Sequence, residues 1–95
     1  MRTFKLEILS PREPIFAGEA GMIIPPGKEG ELAIMAGHAP LLAALEKGKL
    51  EVRLPGEIKT FKIKSGFVEV NENGVTVLVK SENPDQNKAD PGRQA

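Results

Sequence analysis

Three side chains between Glu29 and His38 are of types that move protons: two carboxylates, Glu29 and Glu31, and the chain's one histidine, His38. Two residues apart on an extended segment, the carboxylates stand on one face, where such a pair can act as general acid and base. His38 can serve as the base for a hydroxyl nucleophile, with Ser10 or Ser65 supplying the hydroxyl. Each has a plainer explanation. Carboxylate pairs are routine on solvated strand edges, and no nucleophile-elbow motif surrounds either serine. A metal site needs several converging ligands, more than one histidine among surface acids. Gly27-Lys28 looks superficially like a phosphate loop, but Glu29 follows the lysine, the full motif spacing is missing and no helix is expected to begin there. Gly18 and Gly21 form no dinucleotide fingerprint. The residues therefore predict no catalytic site, no metal and no cofactor.

The same stretch is better suited to being touched by another protein. Met35 to Leu45 is almost wholly apolar apart from His38, and Ala36, Gly37, Ala39, Ala43 and Ala44 let a second backbone approach closely. Leu41 and Leu42 read equally well as core or as interface. A turn that combines Gly37, His38 and Pro40 belongs on the surface. An apolar surface patch with a polar rim is an expected docking site.

The composition narrows the field further. Ninety-five residues is the length of one domain, enough to bury roughly 60–65% of its unfolded surface. Thirteen basic and thirteen acidic residues balance to zero, which argues against nucleic acid and against adhesion to anionic lipid. With no cysteine there is no disulfide and no thiolate chemistry. Four Phe and no Trp or Tyr give little for stacking on sugars or bases. No apolar run is long enough to span a membrane, and no targeting segment is recognised, so a soluble chain is expected.

The elements that must carry these residues are strands. Apolar residues recur with period two at Phe4, Leu6 and Ile8, at Leu50, Val52 and Leu54, at Phe61 and Ile63, at Val68 and Val70, and at Val75, Val77 and Val79. Turn signals fall between them: Ser10-Pro11, Pro25-Pro26-Gly27, Pro55-Gly56 and Asn73-Gly74. Many short strands with close turns predict an antiparallel sandwich or barrel. The segment from Pro40 to Lys47 has helical spacing of leucines, a proline near its start and Gly48 as a stop. Propensity favours a helix there, and a compact all-β context would force it extended. Residues 81–95 contain no Leu, Ile, Val, Phe or Met, so a polar, disordered tail is expected after a domain of residues 1–80.

The run Glu29-Gly30-Glu31-Leu32-Ala33-Ile34-Met35-Ala36-Gly37-His38-Ala39-Pro40-Leu41-Leu42 resembles the signature of the N-terminal domain of the F-type ATP synthase epsilon subunit. Ala33 stands where that family usually has Gly, and Ala36 where it usually has Pro, so the rigid lead into the turn is lost. Leu6-Glu7-Ile8-Leu9-Ser10 with Phe16-Ala17-Gly18 resembles the family's opening strands. Ser65-Gly66-Phe67-Val68-Glu69-Val70 with Val75-Thr76-Val77-Leu78 resembles its closing hairpin. The likeness runs from about Met1 to Lys80, in order.

The resemblance implies an all-β fold, a two-sheet antiparallel β-sandwich of about ten short strands, with Pro40–Lys47 extended. It implies a non-catalytic rotor subunit of a proton-translocating synthase that docks the gamma subunit onto the c-ring and couples rotation to ATP synthesis. By position, Glu31 matches an acidic contact to the c-ring loops, His38 the turn at the gamma and c-ring junction, and Ser10 the gamma-facing side. Leu41, Leu42 and Ala43 fall in the same surface region. The implied place is peripheral, on the cytoplasmic face of the bacterial inner membrane or the stromal face of a plastid membrane, without insertion. The family's C-terminal helical hairpin, about forty further residues, has no counterpart here, so its braking role and any nucleotide binding do not carry over. Two other readings stay in view. One is a small acid/base enzyme on a β-sandwich, with Glu29, Glu31 and His38 enclosed in one pocket. The other is a generic ligand-binding sandwich using the same residues.

Overall fold

A computed structural model describes residues 2–81; the polar tail expected from Ser81 onward lies outside them except for Ser81 itself, which closes the last strand. The described residues form eight strands and no helix: β1 Phe4–Leu9, β2 Pro14–Ala20, β3 Met22–Ile24, β4 Ile34–Met35, β5 Leu41–Leu45, β6 Gly48–Leu54, β7 Glu57–Asn71 and β8 Gly74–Ser81. The hydrogen-bonded order is β2-β1-β8-β7-β6-β3-β4, with β5 beside the second half of β7, in line with β6 and opposite β8.

One long strand holds the two layers together. The first half of β7 pairs with β6, from Leu54↔Glu57 to Gly48↔Ile63. Its second half pairs with β8, from Ser65↔Lys80 to Asn71↔Gly74, and with β5, from Leu45↔Gly66 to Leu41↔Val70. The register slips between Ile63 and Ser65, the mark of a bulge that bends the strand from one layer into the other. Ser65-Gly66 separates two apolar runs in the sequence, yet the backbone continues through it. That continuity is one reason eight strands are present where about ten were expected. At Gly66 a side chain would run into the carbonyl oxygen of Leu78, so glycine is what allows β8 to lie so close.

The inward residues of both layers meet in one core. Leu6 and Ile8 of β1, Ile23 of β3, Ile34 of β4, Leu50 and Val52 of β6, Ile63 and Val68 of β7 and Val77 of β8 are fully buried, each burial stabilising the fold by about 1.5–3 kcal/mol. Phe16 of β2 and Phe61 of β7 touch across the layers, ring centroids 6.5 Å apart. No polar or charged side chain is buried among the described residues. The alternation in the sequence thus corresponds to a buried and a wet face on β1, β6, β8 and the second half of β7.

Two local expectations are resolved by this packing. Leu41–Leu45 is a strand, because pairing along β7 outweighs helical propensity, and Gly48 opens β6. The sheet is also mixed. β1 and β8 run parallel, from Leu6↔Val75 to Leu9↔Leu78, while the other pairings are antiparallel. The pair joins the first and last strands of the domain, so no short connection constrains its direction. Pro55-Gly56 makes the two-residue hairpin expected, with Gly56 at φ 86°. The other hairpin turns on Glu72-Asn73, one residue earlier than the Asn73-Gly74 signal suggests. There the Asn71 carboxamide oxygen accepts from the Asn73 amide.

Candidate docking surfaces

Glu31 sits in the irregular segment between β3 and β4. The chain doubles back there through Gly27 N–H to Pro25 O at 3.0 Å and Gly30 N–H to Gly27 O at 3.1 Å, with Gly30 at φ 127°. The Lys28 amide then bonds the Ala44 carbonyl at 2.9 Å and anchors the turn to β5. The result is a cleft of about 350 Å³ between this turn and β5, which brings together Glu29, Glu31, Leu42 and Ala43.

His38 lies elsewhere. Its amide closes a turn onto the Met35 carbonyl at 3.1 Å, Gly37 takes φ 84°, and the ring is exposed. Nδ1 stands 2.7 Å from the Ala39 carbonyl. A carbonyl only accepts, so Nδ1 carries a proton in this contact. His38 lines a separate depression of about 290 Å³ with Arg2 and the Asn71–Gly74 turn. Glu29 and Glu31 thus line one cleft and His38 another, an arrangement that does not support the acid/base constellation weighed above. Among the described residues no group of three His, Asp, Glu or Cys side chains is arranged to hold a metal ion.

The Ser10 hydroxyl is occupied by its own turn. It donates to the Glu13 carbonyl at 2.8 Å and accepts from the Glu13 amide at 3.2 Å. This local cap ends β1 and leaves Ser10 at the rim of a larger groove of about 510 Å³. Leu41 and Ala43 turn inward against the core, whereas Leu42 is 72% exposed.

The groove beside Ser10 holds the residues that sequence reasoning missed. On the outer face, the register aligns Ala44 with Phe67, Phe67 with Leu78, and Leu78 with Leu9. These four side chains form an apolar row across four strands, with Phe67 53% and Leu78 51% exposed. The next row, Leu42–Glu69–Thr76–Glu7, is mostly polar, and Ser65 and Lys80 flank the other side. The signal was in the alternation. Phe67 and Leu78 are out of phase with Val68, Val70, Val77 and Val79, so they had to face outward. The groove and the Glu31 cleft adjoin at Lys28 and Ala44, so both surfaces wrap around β5.

Comparison with known proteins bears on this surface. Residues 3–83 match the family described as the ATP synthase delta/epsilon chain, beta-sandwich domain. The ATP synthase epsilon chain of Chlorobium limicola is 42% identical over 80 residues, covering 83% of this chain and 91% of that one. That of Pelotomaculum thermopropionicum is 39% identical over 82 residues, covering 84% of this chain and 60% of the relative. A chain of the Euglena gracilis mitochondrial ATP synthase, in a structure of OSCP, F1 and c-ring, superposes with TM-score 0.74 at 28% identity, over 85% of this chain and 51% of that one. A chain of the Tetrahymena thermophila central stalk and c-ring shares the fold, with TM-score 0.72 at 18% identity over 99% of this chain and 78% of the other.

Proposed function

This chain belongs to the ATP synthase delta/epsilon family, as an epsilon-type β-sandwich, and from that premise we propose that it is a non-catalytic rotor piece that holds the gamma subunit against the c-ring. The observation that carries the reading is the exposed row Ala44–Phe67–Leu78–Leu9 beside Ser10. Exposed apolar rows of this kind are costly to solubility unless a partner covers them, and a wide sheet face suits a partner that must not slip. Gamma covers this row. Glu31 and the His38 turn meet the polar loops of the c-ring, where a carboxylate accepts charge-assisted hydrogen bonds from basic side chains. Torque then passes through contacts spread over a sheet whose core is fully apolar, and the domain carries out no chemistry. Attachment is peripheral, on the cytoplasmic face of the membrane, through the assembly alone. The domain proper is residues 1–80, with a polar extension after it.

Co-purification tests this. Mixed with a gamma subunit at micromolar concentration, the chain elutes as one complex on gel filtration. Separate elution of two folded proteins contradicts the proposal.

A further inference from the structure

Among the described residues three strands, β2, β4 and β5, have a flank with no strand beside it. Open edges recruit other strands unless they are blunted. β4 is blunted by having two residues. β2 begins at Pro14 and carries Glu19. β5 reads Leu-Leu-Ala-Ala-Leu, with no charge and no proline inside it.

Backbone direction defines what this edge offers. Away from β7, the Ala44 carbonyl accepts from the Lys28 amide and the Glu46 amide donates to the Pro26 carbonyl, both at 2.9 Å. Even-numbered residues of β5 therefore direct N–H and C=O to the open flank, because both groups of one residue point the same way in an antiparallel ladder. The segment 26–28 covers the far end only. The Pro40 carbonyl, both groups of Leu42 and the Ala44 amide remain unused among the described residues. They face the cleft that Glu29 and Glu31 line, with Lys28 as the one cation there.

We propose that β5 is extended by an added strand: an extended segment of a protein partner pairs antiparallel with Pro40–Ala44, and its Lys or Arg side chains bond Glu29 and Glu31. Leu42 exchanges both of its backbone hydrogen bonds with one residue of the incoming segment. Main-chain bonds supply affinity and the carboxylates select the basic partner. The cleft adjoins the apolar groove at Lys28 and Ala44. This inference rests on the docking reading above but not on which subunit provides the strand.

Residue-resolved amide exchange on the isotopically labelled full chain tests it, with a capped seven-residue peptide alternating Arg and Val at millimolar concentration as probe. Exchange at Leu42 and Ala44 slows at least about tenfold, while Leu41 and Ala43, already bonded to β7, do not change. Leu42→Pro removes an outward N–H that the folded ladder does not use, a tolerated place for proline, and abolishes the effect. The double variant Glu29→Gln with Glu31→Gln, both at exposed positions, weakens binding about tenfold and serves if the proline variant fails to fold. No slowing at Leu42 overturns the proposal. So does equal binding of a Glu-Val peptide, or peptide-free slowing that grows with protein concentration, the sign of a second copy on the edge. In each of those cases co-elution with gamma would still stand or fall by itself.

Discussion

The two halves of β7 have similar inner faces and different outer ones. Phe61 and Ile63 point into the core from the first half, Val68 and Val70 from the second. Outside, the first half sets Ile58, Thr60 and Lys62 against Arg53, Glu51 and Lys49 of β6. Arg53 and Glu51 pair there as partly exposed ions, and Ile58, though 62% exposed, lies alone beside Arg53. Such a face is at ease in water. The second half sets Phe67 between Ala44 and Leu78 with Leu9 beyond. Burial inward made one strand; composition outward separates a solvated wall from the proposed docking surface.

The largest effect expected is one that breaks the inner likeness. Ile63→Ala, at the fully buried handover point, should destabilise the domain by about 3 kcal/mol, seen as a lower urea midpoint with the slope unchanged. Next is Phe67→Ala. In the isolated domain it should cost under about 1 kcal/mol, the worth of a cross-strand pair. For gamma it should cost about 2 kcal/mol, near thirtyfold in Kd by titration calorimetry. The smallest effect belongs to the charged half. Lys62 stands directly opposite Lys49, so Lys62→Glu should raise stability by about 0.5 kcal/mol and leave gamma affinity unchanged. A loss of affinity there would erase the distinction between the halves.

Much of this architecture was legible in the chain. Leu6 and Ile8, Leu50 and Val52, Val75, Val77 and Val79 announce buried faces, and they are buried. What was not legible depended on partners distant in sequence. The segment Leu41–Leu45 carries a helical pattern, and only the ladder to Gly66–Val70 makes it a strand. Ser65-Gly66 looks like a break, and only the slip against Lys80 and Ser81 reveals a bulge. Phe67 and Leu78 lie in the runs that resemble a family hairpin, and their phase against neighbouring valines already puts them outside. Their alignment with Ala44 and Leu9 required the registers of four strands.

The most direct test compares the two outer faces in one experiment. Phe67→Glu with Leu78→Glu is made on one half of β7, and Ile58→Glu with Thr60→Glu on the other. Each folded variant is then titrated with gamma. The account predicts that the first pair abolishes measurable binding while the second binds like the unmodified chain; equal affinity for the two pairs would contradict it.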